Sequence, residues 1–163
     1  MTGTEVLLIR HAVAGDRDGW ERDDALRPLS DVGRRQARRL VGLFADRPIA
    51  HLLSSPFVRC VQTLEPLAAE RGLSIETSED LAEGRPWELV EKLALELATD
   101  GPGALCVHGD VVEALIEDLR ERDIGPWVTA GGYAKGSTWI LGVRDGSIVS
   151  ARHVPAPDGS VLG

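Results

Sequence analysis

Short apolar runs that are covered on both sides by periodic, amphipathic stretches dominate this chain. Val6 to Ile9, Ile49 to Leu53 (interrupted by His51) and Ala104 to Val107 read as buried strands. A strand that is apolar at successive positions, rather than at alternate ones, must be covered on both faces. The covering helices are legible as well. Behind Ser30, a capping residue, Gly33, Ala37, Leu40, Val41 and Phe44 fall on one helical face. Ser55-Pro56 reads as a helix start, with Val61, Leu64 and Ala68 inward and Gly72 as the stop. Pro66 inside that helix predicts a kink or a break. Leu73 to Glu76 reads as a short strand, and Trp87 to Ala98 as a helix with Leu89, Leu93 and Leu97 in register. Asp110 is placed to cap a helix carrying Val112, Leu115, Ile116 and Leu119. Asp145-Gly146, between Ser137 to Val143 and Ser147 to His153, is a hairpin signal. Strands alternating with helices imply an α/β fold, a three-layer α/β/α sandwich whose mostly parallel sheet is made mixed by the closing hairpin. The expected organisation is one domain over 1–163, with 156–163 as a loose tail.

Composition narrows the functional classes. The 163 residues carry a net charge of −8. That balance disfavours nucleic acid and anionic membranes as partners, since both call for a basic surface. Met1 to Glu5 lacks a basic leader, and no stretch approaches the roughly 20 apolar residues of a membrane span. With two isolated cysteines, Cys60 and Cys106, this implies reduced thiols and a cytoplasmic protein.

The chemistry-bearing residues collect at strand ends. The first strand runs into Arg10-His11. The second runs into Ser54-Ser55-Pro56, with Arg59 just beyond, and the Ala104 strand runs into His108-Gly109-Asp110. In an open α/β sheet, ligands bind outside the carboxyl ends of the strands. Arginine offers planar, always-charged, bidentate donors to phosphoryl oxygens. Histidine serves as a nucleophile when neutral and as a proton donor when charged. Two arginines and two histidines without a carboxylate pair suit a phosphate dianion. They suit neither Mg²⁺, which wants carboxylates, nor zinc, for which no third ligand is evident.

Leu8-Ile9-Arg10-His11-Ala12 resembles the Arg-His-Gly signature of the histidine phosphatase, or phosphoglycerate mutase-like, superfamily. Arg27-Pro28-Leu29-Ser30 through Gln36-Ala37, Ser54-Ser55-Pro56 through Gln62-Thr63, and His108-Gly109 resemble its later blocks, in the same order. Ala12 stands where many members have glycine, and Val107 where serine or threonine is common. The short chain is similar to the SixA-type phosphohistidine phosphatase branch. The stretches Gly15 to Leu29, with Trp20, Asp24 and Arg27, and Lys135 to Trp139 are similar to the phosphatase-like C-terminal half of actinobacterial Nudix hydrolases. No Nudix box is present.

The resemblance implies a phosphoglycerate mutase-like fold and a metal-independent phosphatase without cofactor. His11 is then the nucleophile, Arg10, Arg59 and His108 bind the phosphoryl oxygens, and Glu83 is the candidate general acid, with Glu79, Asp80 and Glu88 as competitors. Arg27 and Lys135 are candidate substrate contacts. The implied partner is a protein phosphohistidine or a small phosphomonoester. A nucleotide-processing phosphatase partnering a Nudix enzyme and a non-catalytic phosphate-binding protein are the alternatives.

Overall fold

The computed structural model describes residues 3–124 and 127–160. Six strands form one sheet: β1 (Thr4–Arg10), β2 (His51–Ser54), β3 (Ile75–Thr77), β4 (Gly103–Val107), β5 (Thr138–Arg144) and β6 (Ser147–Val154). Their order is β3-β2-β4-β1-β5-β6. The first four run parallel, while β5 and β6 are antiparallel to their neighbours, so the sheet is mixed. Helices α1 (Asp31–Leu43), α2 (Val58–Arg71), α3 (Trp87–Thr99) and α4 (Gly109–Glu121) supply the outer layers.

β1 shows how the continuous apolar run is used. Val6 and Leu8 join a core with Val90 and Ala94 of α3 and Leu115, Ile116 and Leu119 of α4. Leu7 and Ile9 face the other way, into a core with Leu40 of α1 and Leu64 and Leu67 of α2. Two separate cores on the two faces of one sheet make the three-layer sandwich. Each fully buried aliphatic side chain there contributes roughly 1.5–3 kcal/mol. The Asp145-Gly146 turn has positive φ at both residues (52° and 75°), the twist a two-residue hairpin requires.

Several local expectations are corrected. Helix α2 begins at Val58, not at Ser55-Pro56. Ser55 Oγ instead accepts from the backbone N–H of Phe57 at 3.2 Å and meets His108, so it builds the turn ahead of the helix. Pro66 lies within α2, which continues through it as one element and ends at Gly72 in the left-handed region (φ 64°). In α3 the buried stripe is Val90 and Ala94, one position round from the Leu89 register, because Leu93 and Leu97 flank the core rather than fill it. His108, not Asp110, is the N-cap of α4. The segment 156–160 is not loose: Gln36 Nε2 donates to Pro157 O, Arg35 Nε to Gly159 O, and Arg39 to Asp158 O and Ser160 O. These bonds strap it along α1, and 161–163 lie outside the described residues.

Candidate active site

Register brings the strand ends level. Arg10 pairs with Val107 across β1 and β4, and Ser54 with Cys106 across β2 and β4. The residues that follow, His11, Ser55 and His108, therefore leave the sheet at one edge. Backbone bonds fix their exits: His11 N–H donates to Val107 O and Ser55 N–H to Cys106 O, both at 3.0 Å.

The segment after His11 would carry unsatisfied amides were it not for side chains from the helices. Ala12 N–H donates to Thr63 Oγ1 at 3.0 Å, and Val13 N–H to Gln36 Oε1 at 2.9 Å. Gln62 Oε1 accepts from Leu29 N–H at 2.8 Å. Gly33 packs so close to this segment that a Cβ there would overlap the carbonyl of Val13. The glutamines, the threonine and the glycine of the sequence blocks are thus the parts that hold the loop bearing His11.

His11 is 5% exposed, and its Nδ1 lies 2.8 Å from the carbonyl oxygen of Ala12. A carbonyl can only accept, so Nδ1 carries the proton, and the neutral ring keeps its lone pair on Nε2. Burial is the main cause pushing the His11 pKa down, to about 3, and the neighbouring His108, Arg59 and Arg10 push the same way, against the Ala12 bond. The ring centroid of His108 is 5.5 Å from that of His11. Phe57 touches two members of the group: its ring lies 4.8 Å from that of His108 and 4.9 Å from the Arg59 guanidinium carbon.

Three of these residues hold side-chain nitrogens with no partner. Arg10 Nε, Arg59 Nε and His108 Nδ1 are buried side-chain nitrogens without a hydrogen bond, out of five such atoms among the described residues. Buried polar groups are normally satisfied. Three of the five exceptions converging on one histidine mark a place built for an acceptor-rich ligand.

Above them opens a cleft of about 630 Å³, lined by Arg10, His11, Arg27, Glu83 and Lys135 as well as Arg17 and Tyr133. Glu83 Oε2 lies 3.2 Å from Arg59 Nη2, and its Oε1 is 3.7 Å from Arg17 Nη2. Its competitor Asp80 is paired with Arg85 instead, at 3.2 Å. Arg27 is buried, with Nε on Asp24 Oδ1 at 2.9 Å and Nη1 on Gly15 O at 2.7 Å. Lys135 is exposed; partial burial, then the charges of Arg10, Arg27, Arg17 and Arg59, lowers its pKa. Asp110 lines the cleft and accepts from Gly84 N–H at 3.0 Å. Among the described residues, no group of three or more His, Cys, Asp or Glu side chains is placed to hold a metal ion.

Residues 6–92, more than half of the chain, match the sequence profile of the histidine phosphatase superfamily, branch 1. The chain belongs to the histidine phosphatase superfamily. Among relatives, this histidine phosphatase domain is 38% identical over 158 residues to the 8-oxo-(d)GTP phosphatase of Mycolicibacterium smegmatis, covering 94% of this chain and 48% of that protein. It is 40% identical over 82 residues to an uncharacterised Mycobacterium tuberculosis protein, covering 49% and 40%. The chain therefore spans about half the length, or less, of the curated relatives it matches. Among solved structures, it superposes on a chain assigned as the phosphohistidine phosphatase SixA from Agrobacterium tumefaciens with a TM-score of 0.71 and 25% identity, over 95% of this chain and 100% of that one. A tungstate complex of the protein histidine phosphatase SixA gives 0.70 at 18% identity, over 95% and 97%. The fold is the phosphoglycerate mutase-like one that the sequence blocks imply.

All seven residues singled out in the sequence meet at this edge of the histidine phosphatase domain. Arg10, His11, Glu83, Arg27 and Lys135 line the cleft, while Arg59 and His108 are buried outside that lining, Arg59 3.2 Å from Glu83 and the His108 ring 5.5 Å from that of His11. The sequence did not reveal what Asp24, Arg17 and Ser55 do there. Asp24 bonds both Arg59 and Arg27. Ser55 Oγ lies 2.9 Å from His108 Nε2. The Asp24–Arg27 contact is local, three residues apart, but the Asp24–Arg59 and Ser55–His108 links join elements far apart in the chain, and only proximity in space reveals them.

Proposed function

We propose that this domain is a phosphatase that works through a phosphohistidine on Nε2 of His11 and needs no metal ion. The observation that carries the reading is the gathering of the unpartnered nitrogens Arg10 Nε, Arg59 Nε and His108 Nδ1 around a histidine held neutral, His108 Nδ1 acting as a donor in the tautomer in which the Ser55 hydroxyl donates to Nε2. A phosphoryl group offers the oxygens those donors lack, and the neutral ring offers the electron pair that attacks it. In the first step a bond forms from Nε2 to phosphorus while the bond to the leaving oxygen breaks. The leaving oxygen keeps that electron pair and takes a proton, which Glu83 is positioned to supply from the cleft wall. In the second step water attacks phosphorus while giving a proton to the Glu83 carboxylate, the nitrogen–phosphorus bond breaks with its pair returning to Nε2, and inorganic phosphate departs. Arg10, Arg59 and His108 hold the equatorial oxygens through both steps, which is the main protein contribution to phosphoryl transfer. Arg27 and Lys135 take the rest of the substrate.

The substrate is a small phosphorylated molecule. The 38% identity to an 8-oxo-(d)GTP phosphatase favours a nucleotide over a protein phosphohistidine, which rests on the more distant SixA likeness. Turnover of p-nitrophenyl phosphate that survives EDTA and vanishes in His11→Ala supports the mechanism. Turnover retained by His11→Ala refutes it, and phosphate binding without turnover of any substrate would make the domain a binding module. A panel of nucleoside phosphates and a phosphohistidine protein ranks the two substrate classes.

A further inference from the structure

An arginine side chain has two forks for an anion: end-on, Nη1 with Nη2, and side-on, Nε with Nη2. In Arg59 a single residue takes the end-on fork. Nη1 donates to the carbonyl oxygen of Asp24 at 2.9 Å, and Nη2 donates to Asp24 Oδ2 at 3.1 Å. The side-on fork is used differently. Nε has no partner, and Nη2 also meets Glu83 Oε2 at 3.2 Å. Asp24 is itself held, because its Oδ1 accepts from Arg27 Nε at 2.9 Å and Arg27 is anchored on Gly15 O. Although burial works against it, bonds from Arg27 and Arg59 and their charges keep the Asp24 carboxyl below its ordinary range, so it is ionised at neutral pH.

We infer that Asp24 is a positioning residue for phosphoryl transfer. It grips Arg59 by the end-on fork, and so leaves Nε, the unclaimed donor of the side-on fork, to the phosphoryl group beside His11. The inference rests on the reading of His11 as nucleophile.

Two opposing effects decide what loss of Asp24 does. A carboxylate near a phosphate repels it, so its removal could tighten binding. The Asp24 side chain is 38% exposed, however, and water screens that repulsion. The Arg59 side chain is 0% exposed, and its guanidinium would lose the carboxylate that fixes its end-on fork. An arginine loosened in this way regains rotamer freedom, and its buried charge, left with Glu83 as its carboxylate partner, shifts toward that side. Positioning therefore outweighs repulsion, and loss of Asp24 weakens anion binding.

The test compares Asp24→Ala, Asp24→Glu and Asp24→Asn, alone and with Arg59→Ala. Inorganic vanadate binding is followed by calorimetry, and kcat and KM are measured on p-nitrophenyl phosphate. Asp24→Ala is expected to weaken vanadate binding about tenfold and to lower kcat/KM by about 10- to 100-fold, the cost of a misplaced binding group. Asp24→Glu keeps the charge but lengthens the arm by a methylene, and is expected to lose about fivefold in vanadate affinity on the same geometric ground. Asp24→Asn keeps an acceptor oxygen and the carbonyl bond, and is expected to recover most of the affinity. In the Arg59→Ala background, Asp24→Ala is expected to add less than about threefold, since the pair acts as a unit. The inference is overturned by tighter vanadate binding in Asp24→Ala, by wild-type behaviour of both Asp24→Ala and Asp24→Glu, or by an undiminished loss when Arg59 is already gone. Should Asp24→Ala not fold, the Glu and Asn variants decide between the same outcomes. Turnover retained by His11→Ala would refute the nucleophile reading instead, while the vanadate series would still report on Asp24 and Arg59.

Discussion

Acid should destabilise this protein through His11, and Gln at that position should remove the effect. The imidazole is buried against Arg10, Arg59 and His108, which holds its pKa at about 3 against 6.5 for the free side chain. Between those values the unfolded chain binds a proton that the folded chain refuses. Stability therefore falls as pH drops through that window, by about 1.4 kcal/mol per pH unit, and is unaffected by His11 above 6.5. At pH 4.5 the accumulated penalty is about 3 kcal/mol, a large share of a typical 5–15 kcal/mol. His11→Gln cannot titrate. The stability difference between wild type and His11→Gln, measured by urea unfolding and referenced to pH 8, should move against the wild type by that amount at pH 4.5. Proton NMR gives the same answer directly: the His11 imidazole, identified by the loss of its signal in His11→Gln, should show no titration above about pH 5. A His11 signal titrating near 6.5, or a stability difference that stays flat with pH, would refute the reasoning.

Three further outcomes follow from the contacts around the site. Thr63→Val keeps shape but removes the acceptor of the buried Ala12 N–H, and should cost about 1–3 kcal/mol in urea unfolding, with loss of activity exceeding the loss of folded protein. Ser55→Ala removes the hydroxyl beside His108 Nε2, and should lower kcat/KM on p-nitrophenyl phosphate by roughly tenfold, the worth of one net hydrogen bond, with little change in circular dichroism. Gly33→Ala puts a methyl group into the carbonyl of Val13, and should destabilise by more than the about 1–3 kcal/mol of ordinary overpacking, because backbone rather than a side chain must move; thermal melting reads it.

The fold was legible because its constraints are local. Val6 to Ile9 announces a strand covered on both faces, and the structure covers it with helices on each side. Ser30 caps α1 by accepting from Gly33 N–H at 3.1 Å, as a serine ahead of a periodic stretch should. The misplacements occur where a polar side chain has a tertiary task. Ser55 looks like a cap because serine before proline favours one, yet His108 and Phe57 N–H claim its hydroxyl. Asp110 looks like a cap for the same reason, yet Gly84 N–H claims its carboxylate. The tail from Ala156 looks loose because it lacks apolar periodicity. What holds it is carbonyl oxygens reached by Arg35, Gln36 and Arg39, a contact in which the tail's own side chains play little part.

The same local charges serve two ends that would conflict at an ordinary histidine. A phosphate dianion needs cations close by, and on the proposed mechanism Arg10 and Arg59 supply them. Cations close by also disfavour the imidazolium, and a protonated His11 has no electron pair to give. The conflict would be real for a nucleophile that must be charged to act, such as a carboxylate or a thiolate, which those arginines would both stabilise and make less reactive. For a neutral nucleophile, as proposed for His11, the two requirements coincide: each positive group that would draw the phosphate inward also disfavours the imidazolium of His11. The Ala12 carbonyl completes the arrangement by holding the proton on Nδ1, so that the free pair is on Nε2. An acidic protein of net charge −8 can sustain this pocket because the Asp24 carboxylate neutralises Arg59 from its outer edge and leaves its Nε unclaimed.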